Sequence, residues 1–295
     1  MANLKLKRKQ NVDGNFYVDS TCISCGACWW VAKEVFKESS DSLSMVYRRP
    51  ENNRETYAAF RALYSCPTNS IGVHKSNSIH KKVLNSFPFH LHENIYHCGF
   101  HAEASYGAAS YLIKTSRGNF MIDSPRFVKK LAESMKRLGG IQYQCLTHKD
   151  DVADTDKYWN IFKGQRMIHI EDSQKASHYE KFFQDQNDKS IDKDLMVIPT
   201  PGHTKGSVCF LYKQKFLFTG DHLAFSIEKK ELTPFIFRSH TKKDISIYIK
   251  SLEKLLHYNF EYILPGHGAP FFAKKSKMQH SIKECIENIK EYRMK

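Results

Sequence analysis

From about residue 91 onward, short apolar runs alternate with stretches of helical period. Nine segments are predicted as strands: 94–98, 108–115, 119–123, 143–147, 166–170, 194–199, 208–212, 215–219 and 260–264. Between them, Phe127, Leu131, Met135 and Leu138 recur at helical spacing, with Ser124 as the expected cap, Pro125 at the first helical position and Gly139–Gly140 as the stop. Ile245, Ile249, Leu252 and Leu256 predict a late helix, and Met278, Ile282, Cys285 and Ile289 a final one. Strands mixed with crossover helices predict an α/β domain in which helices layer on sheet. The polar stretch over 76–90 reads as a linker, and residues 1–11 as a basic tail. No repeat with a period of 20 to 50 residues is present.

Composition narrows the picture. The chain has 295 residues, and at about 150 per domain it accommodates two domains. Hydrophobic residues are 41 % and aromatics 13 %, which excludes disorder as the dominant state. No run of 18 apolar residues exists, so no membrane span is expected, and the N-terminus lacks the apolar stretch of a secretory signal. The net charge of +14 is scattered. Scatter suits solubility and the steering of anionic partners better than a nucleic-acid surface, which stays open but disfavoured.

The eight cysteines are unevenly placed. Cys22, Cys25 and Cys28 form a C-x-x-C-x-x-C run, and Cys66 stands before Pro67. A disulfide framework does not cluster thiols in this way, whereas several thiolates aimed from one tight loop suit a metal centre. A reducing, cytoplasmic setting follows as the expectation. A zinc knot would also take four thiolates, but usually from paired arms. Together with Gly26, these residues resemble the bacterial-type ferredoxin domain over 12–75. The resemblance implies a small α+β domain with one 4Fe-4S cluster on Cys22, Cys25, Cys28 and Cys66, and a redox partner for it.

Four segments follow strand-like runs: LTHKDDVAD with His148, Asp150, Asp151 and Asp154; TPGHTKGS with His203; LFTGDH with Asp221; and ILPGHG with His267. Imidazoles and carboxylates converging from several loops suit zinc, iron or manganese. In order and spacing the set resembles the metallo-β-lactamase superfamily over 91–295. That resemblance implies a four-layer αβ/βα sandwich holding one or two zinc or iron ions. It places His203 on the first metal, His267 on the second, Asp221 between them, and Asp123 as a buttress that does not ligate. The first motif departs from the family's H-x-H-x-D-H: His148 matches, Asp150 stands for the second His, and Val152 and Ala153 occupy the other two positions. A two-residue slip assigns the Asp role, in ligation and in handling the proton of the attacking water, to Asp154. Asp150 or Asp151 could instead cap a helix starting near Val152.

The leading expectation is hydrolysis of a small-molecule or anionic substrate by a metal-bound hydroxide. The attached cluster and the carboxylate at position 150, where flavodiiron proteins also carry one, make an iron-dependent redox enzyme the alternative. A degenerate binding or regulatory protein is the third reading.

Overall fold

The computed structural model describes residues 2–175, 181–184 and 187–293. It divides into two compact units, one of Met1–Tyr143 with Ala153–Gly164 and the other of Gln144–Val152 with Gln165–Lys295.

The first unit opens with strands Phe16–Val18 and Ile71–Val73, paired antiparallel, a hairpin of Phe36–Glu38 with Ser44–Val46, and helices Ala27–Val31 and Asn53–Ser65. The longer helix starts where the Asn52 side chain accepts the Glu55 amide and the Glu55 carboxylate accepts the Glu51 amide. It ends before Pro67, which disfavours helical backbone in the preceding residue. Its buried Phe60 meets Phe16 edge to face with ring centroids 4.9 Å apart.

Two stretches read as loose in the sequence are built into this unit. Within 76–90, Ser78–Leu84 forms a helix capped by Asn77, and His80 stacks on Phe60 at 4.7 Å, so the stretch is packed structure and not a bare linker. In the basic tail, Arg8 is buried and its guanidinium meets Asp41 at 2.6 Å.

An antiparallel ladder follows, of Phe89–His92, Ile95–His97, Tyr111–Ile113 and Phe120–Ile122. The next helix runs Lys129–Arg137, with Val128 and not Ser124 at its cap position. The expected Ser124–Pro125 start is not used, and the Phe127 amide that a Ser124 cap would satisfy donates instead to the Asp154 carboxylate at 2.7 Å. Helix Thr155–Phe162 begins three residues beyond Val152, and neither Asp150 nor Asp151 caps it.

The second unit carries a six-stranded sheet in the order Lys189–Asp192, Leu195–Pro199, Val208–Tyr212, Phe216–Gly220, Tyr262–Pro265, Phe271–Phe272. Neighbours are antiparallel except Phe216–Gly220 and Tyr262–Pro265, which run parallel and need a crossover. Helix Lys242–Leu255 supplies it, started by a capping box between Thr241 and Asp244. Ile245, Ile249 and Leu252 of that helix and Ile282 and Ile286 of helix Lys275–Arg293 bury against Cys209, Leu211, Leu217 and Ile263 of the sheet. Among the described residues no helix is long and apolar enough to cross a membrane.

Candidate metal centre and cysteine pocket

In the first unit, Cys22, Cys25, Cys28 and Cys66 line one cavity, closed otherwise by largely apolar groups including Val18, Pro67 and Ile71. The Ser44 amide donates to Cys22 Sγ at 3.5 Å and the Ser70 amide to Cys66 Sγ at 3.2 Å. Burial pushes the Cys25 thiol up to about 12, and the nearby Cys66 and Cys22 sulfurs push it in the same direction. Burial also raises Cys28 and Cys66. Cys25, Cys28 and Cys66 resist ionisation, and Cys22 and Cys66 receive N–H donors, so the four sulfurs fit a cationic centre that draws them out as thiolates. The remaining four cysteines are buried elsewhere. Gly107, at φ +91°, lies against the pocket: a Cβ there would stand 2.7 Å from Cys25 Cβ and 2.8 Å from its Sγ.

In the second unit, the chain folds so that strand ends deliver the polar groups. His148, Asp150 and Asp151 follow strand Tyr143–Cys145, His203 follows Leu195–Pro199, Asp221 follows Phe216–Gly220, and His267 follows Tyr262–Pro265. Among the described residues two donor groups result, His148–His203–Asp221 and Asp151–Asp221–His267, each with ligand atoms within 4.8 Å of one another. Asp221 belongs to both. Its Oδ2 lies 3.7 Å from His148 Nε2 and 3.7 Å from His203 Nε2, and its Oδ1 lies 2.7 Å from His267 Nδ1. The His148 and His203 rings stand nearly perpendicular with centroids 4.9 Å apart. Asp150 Oδ2 approaches His203 Nε2 at 3.9 Å from the solvent side, its side chain 42 % exposed.

The donor chemistry suits a cation. His148 Nε2 is buried with no hydrogen-bond partner among the described residues. Burial holds His148 below the usual histidine range, so its ring is neutral and offers a lone pair. Burial alone would raise Asp221, but His267, His148 and His203 outweigh it and hold the carboxyl well below its usual range. His203 Nδ1–H donates to the Phe235 carbonyl at 3.1 Å, which orients the ring and leaves Nε2 facing Asp221. Gly266 lets two carboxylates approach: a Cβ there would stand 2.8 Å from Asp151 Oδ2 and 2.9 Å from Asp221 Oδ1.

The sequence-based assignment of Asp154 is not matched by this geometry. Its carboxylate accepts the Phe127 amide at 2.7 Å and pairs with Lys157 at 2.9 Å, and neither donor group includes it. Asp151 stands in the group where the slipped spacing puts Asp154. The Asp150–Asp151 doublet was the only signal for it. Asp123 is buried in the first unit, in left-handed backbone at φ +55°.

Comparison with known proteins finds a family match on each of two segments. Residues 18–73 match the 4Fe-4S single cluster domain of Ferredoxin I, and residues 145–267 match the metallo-β-lactamase superfamily. Among solved structures, the metallo-β-lactamase DIM-1 exposed to ceftazidime aligns at TM-score 0.53 and 17 % identity, over 68 % of this chain and 95 % of that one. The BLEG-1 B3 metallo-β-lactamase aligns at TM-score 0.52 and 17 % identity, over 65 % and 99 %. A metallo-β-lactamase from Staphylococcus aureus aligns at TM-score 0.51 and 18 % identity, over 67 % of each chain. At these identities the likeness establishes the fold, the αβ/βα metallo-β-lactamase architecture, and the two family matches imply an iron–sulfur cluster and a divalent metal. Within one chain, residues 18–73 thus match a ferredoxin-type single-cluster 4Fe-4S domain and residues 145–267 match the metallo-β-lactamase superfamily.

Proposed function

We propose that the second unit is a metal-dependent hydrolase of a small, anionic substrate, and that Cys22, Cys25, Cys28 and Cys66 hold a 4Fe-4S cluster serving electron transfer or structure. The carrying observation is the position of Asp221, one carboxylate shared by two donor groups and flanked by three imidazoles. A divalent cation bound there lowers the pKa of a water and polarises the electrophile. The residues do the rest. His148 and His203 present ring nitrogens, and Asp221 sets the spacing between the two groups. Asp150 completes the first group from its solvent side. Asp151 orients the attacking water and takes its proton on a carboxylate oxygen. The excess of Lys and Arg, 45 against 31 acidic residues, draws anions toward the protein.

One observation favours a redox reading as the alternative. Asp150, Asp151 and Asp221 make the donor set as rich in carboxylate as in imidazole, which suits iron as well as zinc. The test is anaerobic purification, metal analysis of the second unit's site in the full chain, and assay against ester, thioester and phosphodiester panels with the cluster oxidised and then reduced. Hydrolysis indifferent to the cluster's state supports the proposal. Iron in that site whose spectrum changes when the cluster is reduced, without hydrolysis of any panel member, overturns it in favour of the redox enzyme.

A further inference from the structure

A buried carboxylate outside both donor groups spans the two loops that build the first of them. Asp172 lies in the turn after strand Gln165–His169 and is 1 % exposed. Its Oδ2 accepts the Lys149 amide at 3.1 Å and the Thr204 hydroxyl at 2.5 Å, and its Oδ1 accepts the Gly206 amide at 3.1 Å. Lys149 directly follows His148, and Thr204 directly follows His203. The Thr204 amide is in turn held by Ser207 Oγ at 2.9 Å.

We propose that Asp172 is the positioning residue of the first donor group, fixing the His148 loop against the His203 loop so that both Nε2 atoms stay at Asp221. The inference rests on the metal-centre reading above. The two loops leave different strands, and a loop backbone left to itself samples more than one conformation. Nearer the strands, the Thr147 carbonyl accepts the Val208 amide at 2.9 Å, which registers the loop bases but not their tips. Asp172 extends that registration to the residue after each imidazole. A carboxylate suits the task because its two oxygens accept three donors from two loops at once, and because charged acceptors make the stronger hydrogen bonds. An amide in its place keeps one acceptor oxygen and turns an N–H₂ toward donors.

The experiment is titration of the full chain with zinc against a chromophoric chelator, and with cobalt(II) followed by EPR while the cluster is kept oxidised and diamagnetic. Asp172→Asn should weaken zinc about 10- to 100-fold and alter the cobalt signal. Thr204→Val should move both readouts in the same direction, and Thr204→Ser, which keeps the hydroxyl, should restore them. Thermal unfolding of the metal-free proteins separates this from general destabilisation, since Thr204→Val leaves the carboxylate in place. Wild-type zinc affinity and cobalt signal in both Asp172→Asn and Thr204→Val would overturn the role. A wild-type chain that binds cluster iron but neither zinc nor cobalt would remove the metal-centre reading and this role with it.

Discussion

Asp221 and His267 meet at 2.7 Å, carboxylate oxygen to ring nitrogen, although 46 residues separate them in the chain. The contact is made by two neighbouring parallel strands, Phe216–Gly220 and Tyr262–Pro265, whose ends release both side chains at one edge. Because the other oxygen of Asp221 faces His148 and His203, a single carboxylate couples both donor groups.

Asp221→Ala should therefore empty both groups. Metal analysis should show loss of the non-cluster metal, with affinity down at least about a hundredfold, while the iron of the cysteine pocket is retained. Retention of both metals in the variant would mean that Asp221 is not shared.

The cysteine pocket has its own test. Cys66 lines the cavity, whereas Cys145 is fully buried outside it. Cys66→Ala should lose or degrade the brown chromophore and about four iron atoms. Cys145→Ala should keep both. Equal retention would remove the cluster assignment.

Gly107 tests the same pocket from its wall. The left-handed φ of +91° and the 2.7 Å approach to Cys25 leave no place for a methyl group. Gly107→Ala should cost about 1–3 kcal/mol in backbone strain and lower cluster occupancy by displacing Cys25. Unchanged iron content with an unchanged melting temperature would show that the wall yields without cost.

Much of this was legible in the chain before folding. The nine strand runs alternate or stay apolar over short lengths between turn signals, and each overlaps an observed strand. His148, His203, Asp221 and His267 were legible because each follows such a run beside glycine, proline or threonine. What escaped depends on contacts distant in sequence. The helix starts after Val128 and not at Ser124–Pro125, and the Phe127 amide, which a cap at Ser124 would satisfy, is held instead by Asp154, 27 residues away. Helix Ser78–Leu84 is polar enough to read as a linker, and it forms where His80 finds Phe60. Asp172 carries no local mark, since its role exists only once three strand ends are adjacent.

The choice between Asp151 and Asp154 follows from the same long-range effect and can be decided directly. Between the two residues the backbone passes through Ala153 at φ +34°, a conformation that composition does not announce. That turn precedes a helix for which Asp154 stands at the cap position, while Asp151 is buried beside Asp221 and His267. The two aspartates should therefore respond in opposite ways. Asp151→Asn keeps the size of the side chain but removes a charge from the second donor group. It should lower the affinity for a second equivalent of zinc by at least about tenfold, with little change in the melting temperature of the metal-free chain. Asp154→Ala should leave zinc binding intact. It should cost about 1–2 kcal/mol, from the Phe127 amide losing its acceptor. The exposed pairing with Lys157 adds little to that figure. Zinc titration and thermal unfolding of the two variants side by side read both effects. Loss of zinc in Asp154→Ala, with full binding in Asp151→Asn, would restore the assignment that the spacing of the motif suggests.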